Sequence, residues 1–175
     1  MIIVISGPPG SGKSTVAKMI AEELNLRYLS AGLMFREMAK KMGLSLVELN
    51  ELASKNPEID LTIDLTMRKE AMKGNAVIEA HLGGWVLKDI ADLNVYLDAP
   101  LDVRIKRIAI RDGISETAAL RETLKREELQ WRRFKEYYGF DTSDLSVFDL
   151  VINTVKFKPE EIASIIITKV RNSLL

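Results

Sequence analysis

Five short apolar runs, separated by longer amphipathic stretches, set the pattern of this chain. Most of the runs are rich in β-branched residues and end at turn residues, which is typical of strands buried on both faces of a sheet. They cover residues 1–5, 27–30, 76–79, 93–97 and 149–153. The pattern predicts an α/β fold, in which a five-stranded parallel sheet carries helices on both faces.

Between the runs, apolar residues recur every three or four positions, as they do on one face of a helix. Helices are predicted at 12–24, 33–40, 45–52, 58–73, 103–111, 115–138 and 159–170. Ser45 and Glu48 have the spacing of a capping box, and Pro159 suits the first turn of the last helix. The stretch 80–85 is predicted as a loop or the start of a helix.

The longest predicted helix, 115–138, has apolar residues that fall within about 80° of one another on a helical wheel. This arrangement predicts a single buried stripe. It consists of Leu120, Leu124, Trp131, Phe134 and Tyr138.

A glycine-rich loop joins the first strand to the first helix and fits the phosphate-loop pattern G-x-x-x-x-G-K-[ST]. It comprises Gly7, Pro8, Pro9, Gly10, Ser11, Gly12, Lys13 and Ser14, extended by Thr15. Backbone N–H groups and the positive end of the helix can surround a phosphate there. Lys13 is expected to reach the β- and γ-phosphates, and the Ser14 hydroxyl to ligate Mg²⁺. The flanking strand and helix favour nucleotide binding over a glycine-rich turn without a ligand.

Composition narrows the function further. The 175 residues suggest one domain, and 25 basic residues balance 25 acidic ones, so neither a nucleic-acid partner nor a membrane partner is expected. The absence of cysteine excludes thiolate metal sites, and the single histidine excludes multi-histidine sites within one chain. Without a signal peptide or an apolar run of ~20 residues, a cytoplasmic protein is expected.

Polar residues stand at the carboxyl ends of four predicted strands, where open α/β sheets bind ligands. They are Ser30, Glu79, Asp98 and Asn153.

After the phosphate loop there is no guanine-reading N-K-x-D motif, which disfavours a GTPase. No apolar strand ends in the paired Asp-Glu of a hydrolytic ATPase.

Arginines are placed where they could stabilise phosphoryl transfer. Arg107 and Arg111 are one helical turn apart, and Arg126 and Arg133 are two turns apart. The alternative is a solvated helix face with i,i+4 ion pairs, and periodicity alone favours it. Those pairs would be Glu122–Arg126 and Glu128–Arg132.

Ordered motifs along nearly the whole chain resemble the nucleoside monophosphate kinases, and most of all the archaeal-type cytidylate kinases. The residues that carry the resemblance are the phosphate loop, Ser30-Ala31-Gly32, Phe35-Arg36-Glu37, Asn56-Pro57-Glu58-Ile59-Asp60, Ile63-Asp64, Gly83 with Trp85, Arg126-Glu127, Arg132-Arg133, Tyr138-Gly139 and the run from Phe148 to Thr154. The spacing of Arg126 and Arg133 matches two lid arginines of the bacterial relatives, which reverses the preference for a solvated face.

The resemblance implies a P-loop core at 1–30, 74–112 and 139–175, a monophosphate-binding insertion at about 31–73 and a lid at about 113–138. ATP is the implied phosphoryl donor, and Mg²⁺ the implied metal. Glu79 would orient water on Mg²⁺, and Arg107 and Arg111 would lie against the base and phosphates of ATP. Arg126 and Arg133, with Lys13, would be catalytic.

On the acceptor side, the resemblance places the monophosphate at Ser30, Gly32 and Arg36. Asp60 and Asp64 would accept hydrogen bonds from the cytosine amino group, although an Asp64–Arg68 pair within the helix explains Asp64 almost as well. His81 stands where many relatives have an arginine. Either His81 contacts the acceptor phosphate more weakly, or another arginine does so, or His81 is a tolerated loop residue. Leu61 and Leu65 replace expected charged residues, and Leu129-Gln130-Trp131 replaces charged lid residues.

The predicted activity is transfer of the γ-phosphoryl group of ATP to CMP or dCMP by a monomeric enzyme that requires Mg²⁺. Two alternatives stay open at this point. One is an adenylate, uridylate or thymidylate kinase, and the other is a P-loop ATPase that acts as an assembly or RNA-processing factor.

Overall fold

A computed structural model describes residues 1–173 of the chain. Its elements, in chain order, are β1 (Ile2–Ser6), α1 (Lys13–Glu23), β2 (Arg27–Ser30), α2 (Ala31–Met42), α3 (Leu46–Ala53), α4 (Glu58–Ala71), β3 (Ala76–Glu79), α5 (Gly83–Val86), β4 (Leu93–Asp98), α6 (Leu101–Asp112), α7 (Glu116–Tyr138), β5 (Leu150–Asn153) and α8 (Pro159–Ser173). No helix within residues 1–173 is both long enough and apolar enough to cross a membrane.

The five strands form one parallel sheet in the order β2-β3-β1-β4-β5, which confirms the predicted fold class. In the central strand β1, Ile5 pairs with Glu79 of β3 and with Val95 of β4. Ser30 of β2 also pairs with Glu79. This register brings the ends of β2 and β3 level with the end of β1, the central strand. The phosphate loop begins at that point.

Both faces of the sheet are covered, as the apolar strands require. On one face, α1 and α8 pack on the sheet through Ile20, Ile162 and Ile166, all buried. On the other face, α4 contributes Ile63 and Met67 to a second cluster with β1 and β3.

The helix boundaries follow local side-chain chemistry. Ser45 and Glu48 form the predicted capping box at the start of α3. Ser30 and Ser115 accept hydrogen bonds from backbone N–H groups at the starts of α2 and α7. The stretch that was predicted as a loop or helix start contains the one-turn helix α5.

The buried stripe predicted on α7 is wrong at three of its five positions. Leu120, Leu124 and Trp131 are 38%, 47% and 52% exposed, whereas Phe134 is 7% exposed. The side of α7 that faces the protein instead carries Ala119, Thr123, Gln130, Arg133 and Phe134. The inward side of α7 meets charged and polar side chains of the cleft as well as apolar ones, so apolar periodicity alone does not identify its buried face.

Candidate active site

The phosphate loop folds around its glycines. Gly7 has φ 142° and Gly10 has φ 79°, both in the region that favours glycine. A Cβ atom on Gly7 would lie 2.0 Å from the carbonyl oxygen of Leu97, and one on Gly10 would lie 2.8 Å from the carbonyl oxygen of Arg104. The loop is therefore packed tightly between β4 and α6, and its shape requires glycine at these positions.

Lys13, at the first position of α1, extends back over the loop and donates a hydrogen bond of 2.8 Å to the Pro8 carbonyl. Its side chain is buried, and this burial lowers the pKa of its ammonium group to about 8, against the opposing effect of Glu79. Lys13 forms no ion pair within residues 1–173, and a buried cation of this kind is well placed to bind the phosphates of a nucleotide.

Glu79 at the end of β3 is a buried carboxylate held by two hydroxyl groups. Its Oε2 accepts hydrogen bonds from Ser30 Oγ at 2.7 Å and from Tyr28 Oη at 3.0 Å. Ser30 Oγ in turn accepts from the N–H of Leu33, so one hydroxyl both caps α2 and holds Glu79. These bonds fix the carboxylate at the edge of the phosphate loop.

A cleft of about 1170 Å³ opens beyond these strand ends and extends from the phosphate loop to α3 and α4. Most of the residues predicted for the site line it. They are Pro9 to Thr15, Gly32, Arg36, Asp60, Asp64, Glu79, His81, Arg107, Arg111, Arg126 and Arg133. Gly7, Pro8 and Ser30 lie behind this lining. Asp98 and Asn153, also at strand ends, are exposed and do not face the cleft.

A group of arginines faces the cleft beside the loop. The Nε atom of Arg126 is buried without a hydrogen-bond partner among residues 1–173. Burial, together with the nearby charges of Arg36 and Arg111, lowers the pKa of Arg126. The predicted alternative pair Glu122–Arg126 is absent from the ion pairs of the described chain, although Glu128–Arg132 is present with an N···O distance of 2.6 Å. The positive charges of Arg36, Arg111 and Arg126 repel one another, which suits a site for a highly charged anion.

Arg133 is not directed at this group. Its guanidinium pairs with Asp60 at 2.7 Å and donates to the backbone and side-chain oxygens of Asn50 at 3.2 and 3.3 Å. The Arg133 and Asp60 side chains are only 3% and 12% exposed. Burial raises the pKa of Asp60, with Arg133 opposing it. The pair joins α7 to α3 and α4 at the far end of the cleft.

Asp64, one turn beyond Asp60, accepts a hydrogen bond from Tyr138. Burial raises the pKa of the Asp64 carboxyl to about 6. The alternative pairing with Arg68 does not occur, because Arg68 binds Asp89 instead. Asp60 and Asp64 thus share one face of α4 and both line the cleft.

His81 lies between the two ends of the cleft. Its Nδ1 is 2.9 Å from Oε1 of Gln130, and its ring meets Phe134 edge-on at 5.5 Å. Burial, with the charges of Lys13 and Arg126, lowers the pKa of His81 to about 3. A neutral imidazole cannot replace the charge of an arginine, so any contact it makes with a phosphate is a hydrogen bond only.

The guanidinium of Arg107 makes hydrogen bonds within the protein. It donates to the Thr154 hydroxyl at 2.9 Å and to the Thr154 carbonyl at 3.1 Å, at the end of β5. The Thr154 hydroxyl donates to the carbonyl of Ser11. Arg107 therefore secures the side of the phosphate loop where the donor base is expected.

Sequence reasoning missed Arg104, a buried cation on α6 whose side chain lies against the phosphate loop. It also missed Gln130 and Asn50, the partners of His81 and Arg133. Nothing in the sequence distinguishes Arg104 from the other cations of a basic helix, because its burial depends on how α6 meets α7.

Comparisons with known proteins agree with this geometry. A family model described as an AAA domain matches residues 6–131. Proteins called cytidylate kinase from Ignicoccus hospitalis, Sulfurisphaera tokodaii and Staphylothermus marinus are 61%, 58% and 53% identical to this chain. These matches cover 94%, 95% and 95% of this chain, and 96%, 93% and 94% of the relatives.

Solved structures share the fold at lower identity. An uncharacterised protein from Eubacterium ventriosum is similar with a TM-score of 0.71, at 23% identity and over 98% of both chains. Shikimate kinase from Aquifex aeolicus is similar with a TM-score of 0.66, at 23% identity, over 100% of this chain and 99% of that one. The sequence relatives, which span almost the full length, confirm the resemblance predicted from the motifs: this chain belongs to the cytidylate kinase family.

Proposed function

We propose that this protein transfers the γ-phosphoryl group of ATP to CMP or dCMP, giving ADP and CDP or dCDP. The observation that carries the proposal is the two-ended cleft, with the phosphate loop at one end and a second set of cations and carboxylates at the other. Its volume of about 1170 Å³ suits two nucleotides. Membership of the cytidylate kinases supports CMP as the acceptor.

The donor end holds ATP by its phosphates. The backbone N–H groups of the loop and the start of α1 surround the β-phosphate, and the Lys13 ammonium moves from the Pro8 carbonyl to the β- and γ-phosphates. Arg111, which is exposed at the cleft and pairs with Asp112, adds charge near the phosphates. Arg107 braces the pocket for the adenine base.

The acceptor end holds CMP. Arg36 and the turn at Ser30 and Gly32 bind its phosphate, while Asp60 and Asp64 read the amino group of cytosine. In this assignment Arg133 orients Asp60, to which it is already bonded, and reaches a phosphoryl group only by leaving that carboxylate. His81 contributes a neutral hydrogen bond between the two nucleotides.

Transfer proceeds by attack of an oxygen of the CMP phosphate on the γ-phosphorus of ATP. A new P–O bond forms to CMP while the bond to the β-phosphate oxygen of ATP breaks, and that oxygen leaves on ADP. The acceptor phosphate is ionised at neutral pH, so no strong general base is needed. Arg126, a cation already directed into the cleft, stabilises the charge of the transferring group.

Mg²⁺ fits the residues at the phosphate loop. Ser14 presents an exposed hydroxyl, and Glu79 uses Oε2 for its two hydroxyl partners, which leaves Oε1 for a water of the metal. Hydroxyl, carboxylate-bound water and nucleotide phosphates form the oxygen set that Mg²⁺ prefers. When bound, Mg²⁺ neutralises charge on the β- and γ-phosphates.

The three-part division belongs to the same proposal. Residues 1–30, 74–112 and 139–175 form the core, 31–73 the acceptor insertion and 113–138 a lid that excludes water from the transfer. A monomer that acts on small molecules is part of the proposal; the cleft within one chain supports it only in that the reaction needs no residue of a second copy.

The test is an acceptor panel. ATP is offered with CMP, dCMP, UMP, AMP, GMP and dTMP, with and without Mg²⁺, and ADP and the new diphosphate are both measured. CMP or dCMP should give the highest kcat/KM, and chelation of Mg²⁺ should abolish turnover. Preference for another acceptor would identify a different monophosphate kinase. ATP hydrolysis that is independent of any acceptor would identify an ATPase.

A further inference from the structure

The guanidinium of Arg104 joins three elements at the back of the site. Its Nε donates to the carbonyl of Ala99 after β4 at 3.0 Å, and its Nη1 donates to the carbonyl of Pro9 in the phosphate loop at 3.1 Å. The same Nη1 pairs with Oε1 of Glu127 on α7 at 2.5 Å. The Arg104 and Glu127 side chains are 9% and 26% exposed, so this is a largely buried ion pair.

Glu127 directly follows Arg126, the cation that faces the cleft. Successive residues of an α-helix are about 100° apart, so holding Glu127 also holds the backbone of Arg126 and the direction of its Cα–Cβ bond. Arg126 needs such a constraint, because its Nε is buried without a hydrogen-bond partner in the described range 1–173 and it lies close to the charges of Arg36 and Arg111.

We propose that Arg104 and Glu127 are positioning residues, which hold Arg126 in register with the phosphate loop for phosphoryl transfer. Arg104 bonds the loop that carries the donor, and Glu127 bonds Arg104 from the helix that carries the catalytic arginine. The pair thus sets the distance between the γ-phosphate and the cation that stabilises its transfer. This inference rests on the proposed function of the site.

The position of α6 on the loop makes this link short. Gly10 lies so close to Arg104 that a Cβ atom on the glycine would be 2.8 Å from the Arg104 carbonyl oxygen. Neither Arg104 nor Glu127 is among the residues that line the cleft, so neither is expected to touch the nucleotides. Their influence on the reaction must pass through Arg126 and the loop.

A double-mutant cycle tests the proposal. Glu127→Gln and Arg126→Ala are made singly and together, and kcat, the KM for ATP and the KM for CMP are measured well below the melting temperature of every variant. Glu127→Gln should lower kcat by about 10- to 100-fold and change the KM for ATP by less than about threefold, because misplacement by about 1 Å can cost this much. In the Arg126→Ala background the same change should lower kcat by less than about threefold.

The adjacent carboxylate provides a matched control. Glu128 pairs with Arg132 on the exposed side of α7, so Glu128→Gln should leave kcat within about twofold of the unsubstituted enzyme. If Glu127→Gln does not fold, Arg104→Lys replaces it in the cycle, since lysine keeps the charge but its single nitrogen cannot take the positions of both Nε and Nη1.

The outcomes separate the two proposals. Independent, multiplicative losses from Glu127→Gln and Arg126→Ala, or unchanged kcat in Glu127→Gln, would overturn the positioning role. A higher KM for ATP with unchanged kcat would mean that Arg104 and Glu127 shape only the phosphate loop. This result would also overturn their role in positioning Arg126. If the unsubstituted enzyme transfers nothing to CMP while it hydrolyses ATP, the proposed function itself fails.

Discussion

At the residue scale, the site depends on charges that the fold keeps partly uncompensated. Lys13, Arg36, Arg111 and Arg126 face one cleft, and the pKa values of Lys13 and Arg126 are both lowered, first of all by burial. Placing like charges together raises the energy of the unliganded site. Bound phosphates relieve this repulsion, so the arrangement favours polyanionic substrates.

Lys13 gives a pH-dependence prediction. Its pKa of about 8 in the free enzyme means that the ammonium charge is present below that value and is lost as the pH rises through it. We expect kcat/KM for ATP to fall about tenfold per pH unit above about 8, because this parameter reports ionisations of the free enzyme.

The measurement is a profile of kcat/KM for ATP from pH 6.5 to 9.5 at CMP concentrations well below its KM, so that the ionisations of the free enzyme are reported. Lys18→Ala, on the exposed side of α1, should keep the same profile, whereas Lys13→Ala should lose most of kcat at every pH. A flat profile up to pH 9.5 would rule out Lys13 as the titrating group.

Arg36 gives an acceptor-specific prediction. Arg36→Ala removes a charged donor to the acceptor phosphate, an interaction worth about 1.5–3 kcal/mol. We expect the KM for CMP to rise by about 10- to 100-fold while the KM for ATP changes little. Arg132→Ala, which removes an exposed arginine from α7, is the control. Unchanged KM for CMP and unchanged kcat in Arg36→Ala would remove Arg36 from the acceptor site.

At the scale of elements, α7 shows how a helix can have apolar residues on its exposed side. Its inward side meets the cleft, where Gln130 and Arg133 are buried by polar contacts with His81, Asn50 and Asp60. The hydrophobicity of a residue on this helix therefore contributes to stability only where the fold buries that residue.

Two alanine substitutions on α7 test this point. Phe134→Ala removes a ring that is 7% exposed and should lower the free energy of unfolding by about 3–5 kcal/mol. Leu124→Ala removes a side chain that is 47% exposed and should change it by less than about 1 kcal/mol. Denaturant unfolding of both variants checks the difference. Equal losses would mean that the predicted apolar stripe is buried after all.

At the scale of the whole molecule, polar contacts that are wholly or partly buried join α7 to α3, α4 and the segment between them. Arg133 binds Asp60, Tyr138 binds Asp64, and Tyr137 donates to the carbonyls of Ala53 and Ser54. Buried charges in such contacts oppose folding unless they are well paired. The stability of the folded chain is therefore coupled to the protonation of these carboxylates.

Asp64 makes this coupling measurable. Its carboxyl has a pKa of about 6 in the fold, against about 3.9 in an unfolded chain, so the folded state binds the proton more tightly. The resulting destabilisation is fully present above pH 6 and vanishes as the pH falls below the unfolded value. Asp64→Asn should raise the free energy of unfolding by roughly 1–3 kcal/mol at pH 7.5 and change it little near pH 4.

Denaturant unfolding at the two pH values measures this difference. Asp89→Asn is the control: Asp89 is paired with Arg68 on the surface, which lowers its pKa, so its substitution should not stabilise the protein. A less stable Asp64→Asn variant at pH 7.5 would show that hydrogen bonding to Tyr138 outweighs burial.

The sequence by itself determined the elements whose signals are local. Buried strands, helix caps and the glycines of the phosphate loop each depend on a few neighbouring residues, so the strand and helix order, the capping box of Ser45 and Glu48, and the nucleotide-binding loop could all be predicted. The resemblance to cytidylate kinases rests on motif order along the chain, which is also a property of the sequence.

Only the tertiary structure decided which side chains meet. The pairing of Arg133 with Asp60 joins residues 73 positions apart, and the burial of Arg104 between the loop and α7 depends on how two helices dock. The neutral state of His81 likewise follows from burial beside Lys13 and Arg126. The protonation state and the burial of a side chain depend on its three-dimensional surroundings. Periodicity along one helix indicates only which side of that helix faces the protein.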